Sequence, residues 1–90
     1  MLNFMVIPNY VRAHKSSHHH RREILESRRC GCFHCGQIFR PGEIMRWKDV
    51  KDGIGQTAFC PKCRLEAVLG DKSGYPLTSR FLTKMKNYWF

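Results

Sequence analysis

Apolar positions at helical spacing predict a helix near the C-terminal end of this chain of 90 residues. This last helix runs through Tyr88, with Thr78 or Ser79 as its cap. Residues 21–29 have only two apolar anchors, but they are mostly good helix formers, with acidic side chains early and arginines late, so they predict a short helix of about two turns. Residues 64–70 place apolar side chains on one helical face and end at a glycine, so they predict a third short helix.

Between these helices the pattern changes to short β-like runs. Residues 37–40 and 44–47 are apolar enough for strands, and a Pro-Gly turn separates them. Asp52-Gly53 is a hairpin sequence, and residues 57–59 form an apolar run that leads into Cys60. The expected fold is therefore a small α+β domain.

The cysteines add a candidate metal site to this picture. Four of the five cysteines form two pairs with two residues inside each pair and 24 residues between the pairs. Four thiolates at such spacing are typical of a structural tetrahedral zinc site. A chain this short buries little core, and small domains usually need a disulfide, a metal or a partner. The predicted cofactor is one structural Zn²⁺, held by Cys32, Cys35, Cys60 and Cys63.

The order of elements around the pairs resembles the treble-clef zinc finger, which runs from a knuckle through a β-hairpin to a helix. Here an additional N-terminal helix and C-terminal helix are expected. The alternative is a zinc ribbon, in which both pairs lie on knuckles at hairpin tips. Gly36 after the first pair suits a knuckle, whereas Arg64 and a helical run follow the second pair. That difference favours the treble-clef type.

Five motifs carry a second resemblance: residues 30–35, residues 41–44 with Trp47, residues 57–63, residues 70–76 and residues 85–90. Together they make the chain, over roughly residues 18–90, similar to a family of small uncharacterised cytoplasmic zinc-binding proteins of bacteria and phages. The resemblance implies an intracellular zinc-binding fold and brings no reaction or established partner. Glycine commonly follows the last cysteine in that family, where this chain has Arg64.

The charge points to a polyanionic partner. Sixteen Lys and Arg against seven Asp and Glu give a formal net charge of +9, which four thiolates and one divalent ion would lower by two. Nucleic acid is the first candidate because of this charge. The residues expected to contact phosphates are Arg21, Arg22, Arg28, Arg29, Arg46 and Lys48. The alternative partner is a host protein, which an adapter of phage or bacterial origin would dock on through residues 70–90. No membrane or small-molecule partner is expected.

No enzymatic activity is expected from this site, because a four-cysteine zinc has no open position for water or substrate. Treble clefs are also the scaffold of His-metal nucleases, which take a general-base histidine from the hairpin. Residues 37–59 contain no histidine. A metal-dependent nuclease would require His14 or residues 18–20 to fold back to the site, and it is the second alternative function.

The domain prediction is a flexible basic and His-rich arm over residues 1–20 and a single zinc-binding domain over residues 21–90. His14, His18, His19 and His20 could form a second metal site, but a mobile arm is favoured. Cys30 is interpreted as a small buried residue rather than a redox thiol. No signal peptide or transmembrane run is evident and the cysteines suit a reducing compartment, so a cytoplasmic protein is expected.

Overall fold

The computed structural model describes residues 6–90, which form three α-helices and two antiparallel β-sheets. Strand β1 is the centre of one sheet, between β2 and β5, and β3 pairs with β4 in the other. Short 3-10 turns cover Ala13–Ser17, Pro41–Glu43 and Asp71–Ser73. The helices are α1 (Asn9–Arg12), α2 (Arg21–Leu25) and α3 (Ser79–Trp89), and the strands are β1 (Cys30–Cys32), β2 (Ile38–Phe39), β3 (Trp47–Lys48), β4 (Thr57–Ala58) and β5 (Val68–Gly70).

The three-stranded sheet is the buried centre of the fold. Cys30 lies opposite Phe39 on one side and Gly70 on the other, and Cys32 lies opposite Val68. All residues of β1 and β5 are buried. Because both neighbours pair with β1, the first cysteine pair begins at a fixed position on a fully buried strand.

The turn predicted at Asp52-Gly53 is present between β3 and β4. The backbone of Lys51 and Ile54 exchanges two N–H···O bonds of 2.9 and 3.0 Å, and Asp52 and Gly53 between them have φ values of 53° and 80°. Two successive residues with positive φ are what a type I′ turn requires.

The predicted terminal helices are also present. The Thr78 hydroxyl accepts a hydrogen bond from the Phe81 N–H (3.1 Å), which caps α3 as expected. The buried face of α3 contributes Phe81, Leu82 and Met85 to the core. Helix α2 is shorter than predicted and buries one large side chain, Ile24.

The helix predicted over residues 64–70 is wrong, because residues 68–70 are strand β5. Residues 67–70 are fully or almost fully buried, which a helix with a single apolar face could not achieve. Gly70 does not cap a helix. Its backbone lies so close to Ser27 that a Cβ would come within 2.2 Å of the Ser27 hydroxyl. Pairing with β1 and close packing on α2 therefore override a weak local helix preference.

The chain before α2 packs on the core, which differs from the flexible arm predicted for residues 1–20. Ala13 and Ser17 are buried, and α1 lies against α3. The His20 N–H donates to Gln56 O (2.9 Å) and the His19 N–H to the Thr57 hydroxyl (2.8 Å), so this segment is attached to the hairpin. Residues 1–5 of the predicted arm lie outside the described residues.

The small α+β fold with a four-cysteine cluster, an N-terminal helix and a C-terminal helix is confirmed. The predicted knuckle and hairpin follow one another along the chain, but the helix expected directly after the second cysteine pair is not formed within residues 6–90. The difference is that β5 and a 3-10 turn separate the second cysteine pair from helix α3.

Candidate functional site

Two short turns bring the four paired cysteines to one place. All four Sγ atoms lie within 4.8 Å of one another. The Sγ of Cys32 is 3.6 Å from that of Cys63, and the Sγ of Cys35 is 3.7 Å from that of Cys60. These separations are far beyond the roughly 2.05 Å of a disulfide bond. The four cysteines could therefore hold one metal ion as thiolates.

Each turn directs backbone N–H groups at its first sulfur. In the first knuckle (residues 32–37), Cys32 Sγ accepts from the N–H groups of His34 (3.3 Å) and Cys35 (3.4 Å). In the second knuckle (residues 60–65), Cys60 Sγ accepts from those of Lys62 (3.3 Å) and Cys63 (3.4 Å). Hydrogen bonds to the charged form stabilise a thiolate, so both turns are suited to metal ligands.

The two knuckles match beyond the sulfur contacts. Gly36 and Arg64 each donate a backbone hydrogen bond of 2.8 Å to the carbonyl of the first cysteine of their pair. Gly36 has a φ of 77° and Arg64 a φ of 68°, so both adopt the left-handed conformation. The glycine expected after a knuckle is thus replaced by arginine in the second knuckle without a change of backbone geometry. Arg64 does not begin a helix, as its sequence context had suggested.

Burial works against thiolates in the absence of a cation. Burial raises the pKa of Cys32 and, less strongly, that of Cys63. Burial also acts to raise the pKa of Cys60, but the N–H groups of Cys63 and Lys62 and the neighbouring thiols outweigh it and lower that pKa. A bound cation would favour the charged form of all four sulfurs, because its charge is the largest in such a site.

Cys30 does not belong to the sulfur cluster. It is fully buried on β1, and burial together with the nearby Asp71 raises the pKa of its thiol to about 12. A thiol with such a pKa is neutral near pH 7, and neutral thiols are poor nucleophiles. This agrees with the interpretation of Cys30 as a buried packing residue.

The histidines do not assemble a second metal site. Within residues 6–90, the four cysteines are the one cluster of His, Cys, Asp and Glu side chains able to hold an ion. His20 is buried, and both of its ring nitrogens are engaged. Its Nε2 accepts from the Ala58 N–H (3.1 Å), and its Nδ1 lies 2.7 Å from the Ser16 carbonyl. His14 stacks on Trp89, with ring centroids 3.9 Å apart.

Because Nε2 of His20 accepts a hydrogen bond, the proton of the neutral ring is on Nδ1, which donates to Ser16 O. Burial, the largest effect, lowers the pKa of His20 below its usual value, although the hydrogen bond to Ser16 opposes it. His20 therefore connects the N-terminal segment to β4 as a neutral side chain. Its role is structural, and the sequence pattern of three adjacent histidines does not reveal it.

The six predicted phosphate-binding residues lie in several different environments. The Arg21 guanidinium lies over the Trp47 ring (4.6 Å) and donates to Gly55 O, and the Arg46 guanidinium lies over Phe59 (5.2 Å). Two of the six form ion pairs, Arg22 with Glu26 (3.1 Å) and Lys48 with Glu66 (2.9 Å). Arg28 and Arg29 are exposed, and their backbone N–H groups donate to the Asp71 carboxylate.

Most of the positive charge has no acidic partner. All sixteen Lys and Arg residues fall within residues 6–90, and in that range three of them form an ion pair with Asp or Glu. The third pair joins Lys62 and Glu43 (3.3 Å). The remaining cations leave a surface that favours a negatively charged partner.

Comparison of the chain with protein-family models, with curated proteins and with solved structures finds no match. No helix in residues 6–90 has the length and apolar character needed to cross a bilayer. The resemblance to the bacterial and phage family stays a prediction.

Proposed function

We propose that this chain is a zinc-stabilised domain that binds nucleic acid. A zinc ion with four sulfurs at about 2.3 Å has tetrahedral S···S edges of about 3.8 Å. Two of the sulfur separations here are 3.6 and 3.7 Å, and all four sulfurs lie within 4.8 Å of one another. The donor set is also the one that structural zinc prefers. Zinc fits the cluster with little movement of the side chains.

The zinc has a structural role in this proposal. Four cysteine ligands fill a tetrahedral ion completely, so no position remains for water or substrate. The two knuckles come from distant parts of the sequence, and the ion joins them. The metal therefore stabilises the fold, and the binding partner must be recognised by the surrounding surface.

The observation that carries the nucleic-acid proposal is the excess of unpaired cations. Thirteen Lys and Arg side chains within residues 6–90 have no ion-pair partner. Several flank flat aromatic groups, as Arg21 does at Trp47 and Arg46 at Phe59. Cations that follow phosphates and rings that stack on bases are the two components of single-strand binding.

The test is binding of the zinc-loaded protein to a fluorescein-labelled oligonucleotide, followed by anisotropy over a series of salt concentrations. Each phosphate neutralised contributes about −0.7 to the slope of log K against log salt for a single strand. We expect a slope steeper than about −2. A flat salt response, or no binding at low salt, would overturn the proposal.

A protein partner is the second candidate, and the exposed aromatic end of α3 favours it. Tyr88 is 57 % and Phe90 61 % exposed, although Trp89 packs on His14. An adapter would form a salt-tolerant complex with one protein, and that complex would survive nuclease treatment. A nuclease is less well supported, since both ring nitrogens of His20 are already engaged.

A further inference from the structure

A cavity of about 430 Å³ lies beside the second knuckle. Its volume is within the range of about 300–1,000 Å³ that is usual for small-molecule sites. None of its lining residues is acidic. The cavity is lined by Met45, Arg46, Phe59, Cys60, Pro61 and Arg64.

Arg64 is retained in this cavity at a cost in backbone energy. Its φ of 68° is the left-handed conformation, which is unfavourable for a residue with a Cβ. Gly36 occupies the same position of the first knuckle without that cost. Strained backbone is retained mainly at functional sites. Three other non-glycine residues in residues 6–90 also have positive φ, so the position of Arg64 on the cavity wall, and not the strain alone, makes it a candidate contact.

The cavity combines flat groups with two positive charges. Phe59 and the guanidinium of Arg46 lie 5.2 Å apart, and both line it. Nucleic-acid bases stack on aromatic rings and on guanidinium planes. Arg64 is exposed, and Met45 is 87 % exposed at the edge of the cavity. An occupant with a planar apolar face and adjacent negative charges would match every one of these groups.

We propose that this cavity binds an unpaired base of a single-stranded nucleic acid, with Arg46 and Arg64 contacting the flanking phosphates. This inference rests on the proposed nucleic-acid function and identifies the cavity as the place where the strand binds. A duplex fits less well, because its bases are stacked on one another and their faces are covered. Single strands leave each base free to stack on protein groups.

The experiment measures the affinity of the zinc-loaded protein for a labelled mixed-sequence single strand and for the matching duplex. The site variants are Arg64→Gly, Arg46→Gln and Phe59→Leu. Arg80→Gln is the control, because Arg80 is an exposed cation on α3 outside the cavity. Arg64→Gly is the most informative variant, since it relieves the strained φ. Its thermal midpoint should not fall, so weaker binding cannot be attributed to unfolding.

We expect the wild type to prefer the single strand to the duplex. Phe59→Leu should weaken single-strand binding about 10-fold, in line with the loss of one stacking contact. Each arginine variant should also weaken it and should make the salt slope shallower by about 0.7. Arg80→Gln should change the affinity less than about twofold.

The alternatives give different results. If the control weakens binding as much as the site variants, or the duplex binds equally well, the cavity proposal is wrong but the nucleic-acid function stands. If the wild type binds neither oligonucleotide, the proposed function itself fails, and the cavity proposal fails with it.

Discussion

Arg64 and Gly36 occupy equivalent positions in the two knuckles. The substitutions Arg64→Gly and Gly36→Ala therefore test whether the left-handed backbone of Arg64 is strained. Relief of a left-handed conformation gains about 1–2 kcal/mol. Glycine costs about 0.4–1 kcal/mol through the greater freedom of the unfolded chain. Arg64→Gly should therefore stabilise the domain by about 1 kcal/mol, or raise Tm by about 4–8 °C. Gly36→Ala should destabilise the domain by a similar amount, because alanine would have to adopt the left-handed conformation. The added Cβ would meet no atom within 4 Å, so no steric clash contributes to this cost.

Both variants are compared with the wild type by thermal unfolding at saturating zinc, so that metal occupancy is the same in all samples. Opposite shifts of Tm support the equivalence of the two knuckles. A lower Tm for Arg64→Gly would contradict the predicted strain. It would mean that contacts of the Arg64 side chain stabilise the fold by more than its left-handed backbone destabilises it.

Three further predictions concern the histidine, the cysteines and the packing of β5. Because the pKa of His20 is lowered in the folded state, the unfolded chain binds more protons below the usual value of 6.5, and stability falls as the pH drops through that region. His20→Gln should flatten this pH dependence in urea unfolding at matched zinc, and an unchanged slope would contradict it. Cys35→Ser should abolish the cooperative transition, whereas Cys30→Ser should stay folded with a lower Tm, and circular dichroism distinguishes the two. Gly70→Ala should destabilise the domain by about 1–3 kcal/mol in denaturant titrations, since its Cβ would clash with the Ser27 hydroxyl, and an unaltered midpoint would argue against β5.

The local chemistry of the cysteines, caps and turns could be predicted from the sequence. The spacing of Cys32, Cys35, Cys60 and Cys63 predicted the cluster, Thr78 was one of the two residues expected to cap α3, and Asp52-Gly53 predicted the hairpin turn. The cap, the turn and each cysteine pair depend on residues close together in the chain, so their geometry follows from the residue types. That the two distant pairs meet could be predicted because zinc prefers four thiolates.

Structural features that depend on contacts between residues far apart in the sequence could not be predicted. Residues 68–70 form a strand because β1 lies beside them, and nothing in their own pattern shows that neighbour. His20 is buried against the hairpin, where its N–H donates to Gln56 O and its Nε2 accepts from the Ala58 N–H, and Ser17 is buried nearby in the same polar, histidine-rich segment. The left-handed conformation of Arg64 could not be predicted, because a residue other than glycine after the second cysteine pair favours the start of a helix there.

We propose that one zinc ion held by four cysteines is required for this domain to fold. Native mass spectrometry of the protein before and after chelation, with circular dichroism on the same samples, measures metal content and folding together. We expect one zinc per chain, its loss on chelation together with the folded signal, and recovery of both on adding zinc. A chain that folds equally well without metal, or that binds two zinc ions, would show that this proposal is wrong.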